Sequence, residues 1–170
     1  MFCYRITKYN PARRNLQGHY TKNEWTSFSD IGKLFENNRL TYEQYLLIEN
    51  NYIKAIREFM SCTNRHSLTI TSLEKYNNFT DAPYYTSDLI EAYNSITEGP
   101  VTEKEIINIT RLALRENIWC KLESEEVYVH FGHDYYMYIG CSRSCPAAIE
   151  KVTDSGLFIE AFKSPYGNQK

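Results

Sequence analysis

The chain lacks any apolar run long enough to cross a bilayer. Its longest runs, such as Tyr45 to Ile48 and Leu157 to Ile159, fall far short of the ~18–20 residues a spanning helix needs. No leader is expected either: Met1-Phe2-Cys3-Tyr4-Arg5 enters alternating residues directly, without the basic, apolar and small-residue succession of a secretory signal, so the cytoplasm is the expected compartment. Neither sign of charge dominates. Nineteen Lys and Arg face 21 Asp and Glu in 170 residues, which disfavours a strongly basic nucleic-acid binder, and direct nucleic-acid binding is not expected. Five cysteines, odd in number and irregularly spaced in a chain large enough to bury its own core, read as thiols rather than a disulfide framework. No GxGxxG, phosphate-cradling GK[ST] loop, HExxH or EF-hand pattern is present, so nothing specifies a cofactor.

Tyrosine, in contrast, is abundant: 15 residues, with 8 Phe and 2 Trp. Its large ring and polar tip suit both half-buried strands and protein-binding surfaces. Phe2 to Tyr9 alternates with a period of two and reads as a first strand. Ser29-Asp30 starts a short helical turn through Leu34-Phe35 that ends at Asn37-Asn38. Thr41-x-x-Gln44 is a capping box ahead of Tyr45, Ile48, Tyr52, Ile56 and Phe59, which predicts a long helix over about residues 42 to 62. Residues 67 to 75 read as a second strand. Tyr76 to Tyr85 reads as a loop rich in turn formers, with Asn77, Asn78, Asp81 and Pro83. Ser87-Asp88 caps a helix through Tyr93, Gly99-Pro100 breaks the chain, and Thr102-x-x-Glu105 starts a helix over about 103 to 115.

From there the period returns to two. Ile118 to Leu122, Val127 to Phe131 and Tyr135 to Cys141 form an antiparallel meander. A helix from about Pro146 through Val152, a last strand from Leu157 to Phe162 and a frayed tail from Ser164 complete the chain. The expected fold is one α+β domain over residues 1–170, with a single mostly antiparallel sheet of five or six strands packed with helices.

Two histidines and two cysteines, His130, His133, Cys141 and Cys145, lie close together in the chain, but their spacing fits no common zinc site, and no metal is expected. A small hydrolase or nucleic-acid-processing enzyme built on His130, His133 and Cys145 would need these side chains in contact. A surface is the better candidate. If Val127, Val129 and Phe131 face the core with Tyr135, Met137 and Ile139, the opposite face presents Tyr128, His130, Tyr136 and Tyr138 beside Glu123, Glu125, Glu126 and Asp134. Ten acidic residues stand against four basic ones between Asp88 and Tyr135, whereas Met1 to Lys22 holds five basic residues and no acidic one. Such asymmetry steers partners of complementary charge.

Four stretches, Lys8 to Tyr20, Glu24 to Lys33, Tyr128 to Gly140 and Gly156 to Phe162 with the following Ser-Pro-Tyr, resemble bacterial immunity proteins of contact-dependent inhibition and other polymorphic toxin systems. The resemblance implies a cytoplasmic, non-catalytic protein that binds a cognate toxin C-terminal domain, often a nuclease, and blocks its active site or substrate path. It carries no toxin-contact motif, so the partner-binding residues rest on alternation and charge.

Overall fold

Thr41 accepts the Gln44 amide at 3.2 Å while Gln44 accepts the Thr41 amide at 3.0 Å, and this closed capping box opens helix α1, Tyr42–Cys62. The computed structural model describes residues 1–79 and 83–167. A second box, Thr102 with Glu105, opens α3, Glu103–Leu114. Helix α2, Ser87–Ser95, is capped by Thr86, one residue ahead of the expected Ser87. Helix α4, Pro146–Asp154, starts on a proline, whose missing N–H is no loss in the first turn.

Strands β1 (Phe2–Thr7), β4 (Ser67–Lys75), β5 (Gly99–Thr102), β6 (Ile118–Glu123), β7 (Val127–Phe131), β8 (Tyr136–Cys141) and β9 (Phe158–Ala161) form one sheet in the order β5-β4-β6-β7-β8-β1-β9. Every pairing is antiparallel, so the architecture is the expected α+β with a single main sheet. The sheet has seven strands rather than five or six. The addition is β5, whose Gly99-Pro100 reads as a chain break. Because β5 is an edge strand and Pro100 lies opposite Thr69, its missing N–H costs the ladder little.

A hairpin replaces the helical turn expected through Leu34-Phe35. The capping box of Ser27 and Asp30 closes only a single 3-10 turn, Phe28–Asp30. Strands β2 (Leu34–Phe35) and β3 (Asn38–Arg39) then pair around Glu36 and Asn37, both at positive φ, as a type I′ turn requires.

Helices α1 and α3 cover one face of the sheet. Beneath them Leu122, Val127, Val129, Met137 and Ile139 are completely buried against Tyr45, Tyr52, Ile56 and Phe59 of α1 and Leu112 of α3. Glu49 of α1 and Arg115, just past α3, form a buried two-bonded ion pair at 2.7 and 2.9 Å, and Arg115 also donates to the Tyr84 carbonyl at 2.7 Å.

The cysteines are not all thiols. Packing of α4 on the end of α1 brings Cys62 and Cys145 to a Cα separation of 5.9 Å, and they form a disulfide across 83 positions of sequence. Spacing along the chain says nothing about such a pairing, which depends on this approach of the two backbones. Cys3, Cys120 and Cys141 remain free. Of the turn formers expected between Tyr76 and Tyr85, Asp81 lies outside the described residues.

Candidate functional site at a strapped sheet face and its end cleft

Strand alternation places Tyr128, His130, Tyr136 and Tyr138 on the face away from the helices. The register sets Lys121 beside His130 and Tyr138, and Glu123 beside Tyr128 and Gly140. The Tyr128 ring lies stacked on His130 with centroids 4.4 Å apart. It also lies over Gly140, where an added Cβ would overlap the ring. Glycine is therefore what lets Tyr128 lie flat.

Among the described residues no helix covers this face; the C-terminal segment does. The Phe162 amide bonds the Cys3 carbonyl, and the Arg5 guanidinium sits 4.3 Å from the Phe162 ring. Tyr166 packs between Trp119 and Tyr138 at 5.6 and 5.9 Å. Residues 162–167 thus form a strap running from the β9 edge across the sheet to β6. This differs from the frayed tail expected from Ser164, because Phe162 and Tyr166 bury aromatic area on the rings below; residues 168–170 lie outside the described residues.

Ser164 latches the strap. Its Oγ is 2.7 Å from His130 Nδ1, and His130 Nε2 is 3.1 Å from Glu123 Oε1. Thr71 donates to the other Glu123 oxygen at 2.7 Å. Burial lowers the His130 pKa and outweighs the carboxylate beside it, so the ring is neutral at pH 7. Burial pushes Glu123 up, yet the bonds from Thr71 and His130 win and hold it below its ordinary value. With Nε2–H donated to Glu123, Nδ1 is the acceptor for the Ser164 hydroxyl.

The expected charge patches are largely neutralised within the fold. Glu126 pairs with Arg65, and Glu160 of β9 takes both Arg5 at 3.0 Å and Arg14 at 2.7 Å. Lys8 faces Glu24 at 3.6 Å. Of the carboxylates expected on the surface, Glu125 and Asp134 are exposed and without an ionic partner among the described residues.

At the end of the sheet a cleft of about 350 Å³ opens between the β7–β8 turn and the end of α3. Tyr76, Trp119, Phe131, Tyr135 and Tyr136 supply aromatic walls; Glu116, His133 and Asp134 supply polar groups. Two special turns build it. The Asn117 amide bonds the Leu112 carbonyl and the Glu116 amide bonds that of Ala113, a Schellman ending with Glu116 (φ +62°) where glycine is usual. Asp134 and Tyr135, at φ +52° and +62°, are the central pair of the β7–β8 turn, in the type I′ combination that favours Asn-Gly or Asp-Gly. The Tyr135 hydroxyl donates to the Leu114 carbonyl at 2.9 Å, tying the two turns together. Backbone strain of this kind, held in place by packing, gathers at functional sites.

The sequence-selected residues therefore divide in three. Glu123, Tyr128, His130 and Tyr138 lie under or beside the strap, whereas Asp134 and Tyr136 line the cleft and Glu125 and Glu126 belong to the β6–β7 turn. The histidines and cysteines do not converge: His130 is in the latch, His133 is in the cleft, Cys141 is buried and Cys145 is in the disulfide. Cys145 is thereby removed as a thiol nucleophile for the alternative hydrolase. Glu116, Trp119 and Ser164 were not singled out by sequence; the available signals were a polar Glu116-Asn117 pair at a helix end and aromatics spaced around Ser164-Pro165. Comparisons of the chain with protein-family models, curated proteins and solved structures found no match. No helix among the described residues is long and apolar enough to cross a membrane.

Proposed function

We propose that this chain is a non-catalytic binding protein of the immunity type, which neutralises a cognate toxin domain by a tight one-to-one complex. The observation that carries the reading is the end cleft, where aromatic walls and the carboxylates of Glu116 and Asp134 meet with no Lys or Arg among the lining residues. Recessed aromatics ringed by charge are the pattern of interface hot spots, and acidic rims suit basic partners such as nucleases. The resemblance of the four sequence stretches to immunity proteins supports the same reading. Its test is inhibition: the domain encoded immediately upstream, assayed for nuclease activity, is expected to lose activity at one equivalent of this protein. Full activity at a tenfold excess refutes it.

The cytoplasmic location belongs to this proposal, and the Cys62–Cys145 bond bears on it, because stable disulfides mark oxidising compartments. Alkylation of cells before lysis, followed by mass spectrometry, separates three free thiols from five.

A second reading, a hydrolase, draws support from the order Ser164, His130, Glu123, which is that of nucleophile, base and orienting acid. Against it, Ser164 Oγ accepts the Tyr166 amide at 3.2 Å and His130 is 1% exposed, which suits a latch better than a reacting centre. Labelling of Ser164 by a fluorophosphonate would favour the enzyme.

A further inference from the structure

We infer that the end cleft is a receptor for one arginine side chain projecting from the protein partner, with Glu116 and Asp134 as its charge partners and Trp119 as its stacking wall. The inference rests on the binding reading above and specifies its chemistry. Three observations lead to it.

The cleft has the size of sites that hold small organic groups. Its charge is one-sided: among the lining residues are two carboxylates and no cationic side chain of Lys or Arg. Both carboxylates are exposed, and they line the cleft together with Trp119 and Tyr76, whose faces attract cations; the Tyr136 ring already carries the Arg5 guanidinium, 5.2 Å from its centroid.

The carboxylates are also pre-positioned. Glu116 sits at the left-handed end of α3 and Asp134 in the β7–β8 turn, and the Tyr135–Leu114 hydrogen bond joins these segments. One oxygen of Glu116 already accepts the Ser27 hydroxyl at 3.1 Å, which limits how far its side chain can swing. A ligand meeting such a site loses little freedom in ordering it.

The fold holds cations of its own by the same chemistry, among them Arg115 over Phe28 and Tyr85 with Glu49, and Lys8. Lys8 lies with Nζ 4.0 Å from both the Tyr9 and Trp25 rings, with Glu24 at 3.6 Å and no hydrogen-bond partner for the ammonium among the described residues. Around Trp119 and Tyr76 the end cleft repeats the pairing of aromatic faces with a carboxylate, with no Lys or Arg among its lining residues. Arginine is favoured over lysine because a planar guanidinium stacks on an indole and still presents two edges to carboxylates.

The test uses blocked tripeptides, acetyl-Gly-Arg-Gly-amide and its lysine and citrulline counterparts, titrated into the intact protein and followed by amide and indole resonances. The arginine peptide is expected to move the Trp119 indole N–H and the amides of Glu116 and Gly132 to Tyr136. The lysine peptide should bind at least threefold more weakly and citrulline should leave these signals still. Glu116→Gln with Asp134→Asn, both exposed, should weaken arginine binding at least fivefold while the remaining spectrum keeps its dispersion. Equal shifts from citrulline, or unchanged binding by the double variant, overturn the site. The double variant also separates this inference from the proposed function. If it neutralises the toxin domain as well as wild type, the site falls and the immunity reading stands. If arginine titrates the cleft but no toxin domain is inhibited, the arginine site stands and the immunity reading falls.

Discussion

The two faces of the central strands are held by different physics. Under α1 and α3, Leu122, Val127, Val129, Met137 and Ile139 are wholly buried apolar side chains, and their stabilisation scales with area removed from water. On the opposite face His130 and Tyr138 are also buried, but under a short strap whose fit depends on named polar contacts. The first face tolerates no missing volume; the second tolerates no missing partner. A sheet can thus be closed on one side by bulk and on the other by a few directed bonds, and the directed side is the one that chemistry can open.

The largest effect should come from the helix-covered face. Leu122→Ala is expected to cost about 2–5 kcal/mol in denaturant unfolding, since truncation leaves a cavity in a packed layer. On the strapped face, Gly140→Ala forces a methyl into the Tyr128 ring and should cost about 1–3 kcal/mol. Its specific signature is altered ring-current shifts at His130, and unchanged shifts there would show that the stack is not what glycine protects.

Smaller still is the latch. Ser164→Ala removes two hydrogen bonds, with His130 and from the Tyr166 amide, and should cost about 1–2 kcal/mol, with faster amide exchange confined to residues 162–167. The latch also gives the strapped face an acid sensitivity that the apolar face lacks. The folded pKa of His130 lies below its ordinary 6.5 because the ring is buried. As pH falls through 6.5 the unfolded chain takes up the proton first, so stability present above that pH is lost below it. Unfolding series between pH 7.5 and 5 should show this loss in the wild type and a flatter profile in His130→Gln. Identical profiles would remove the latch from the comparison.

The smallest effect has the opposite sign. Glu116→Gly relieves a left-handed non-glycine residue and should raise stability by up to ~1 kcal/mol, while weakening the arginine peptide in the end cleft. A gain in stability with undiminished binding would mean that the strain serves nothing there.

Much of the frame was legible because it is written locally. Helix α1 begins and ends where Thr41-x-x-Gln44 and the following periodicity place it, and β4 spans the nine residues expected of it. The sidedness of β7 and β8 also followed from alternation, with Val129 and Met137 inward and Tyr128 and Tyr138 outward. Local signals misled where position in the sheet overrode them: Gly99-Pro100 is a strand only because it lies at an edge, and Glu36-Asn37 turns a hairpin rather than ending a helical turn. The candidate surface was half legible. Its residues share a face as alternation requires, but alternation carries no information about what lies on top.

Capping boxes and two- or 3.6-residue periods act between near neighbours, so the amino-acid sequence by itself determined the helices, most strands, the α+β class and which side chains point together. The strap, the disulfide and the cleft join positions 34 and 83 residues apart, or two turns brought together by one hydroxyl. Their existence depends on how the ends of α1, α3 and β9 arrive in space. Only the tertiary structure decided that Ser164 meets His130, that Cys62 meets Cys145, and that Glu116 and Asp134 share one opening, because a contact between distant residues is set by the path of everything between them.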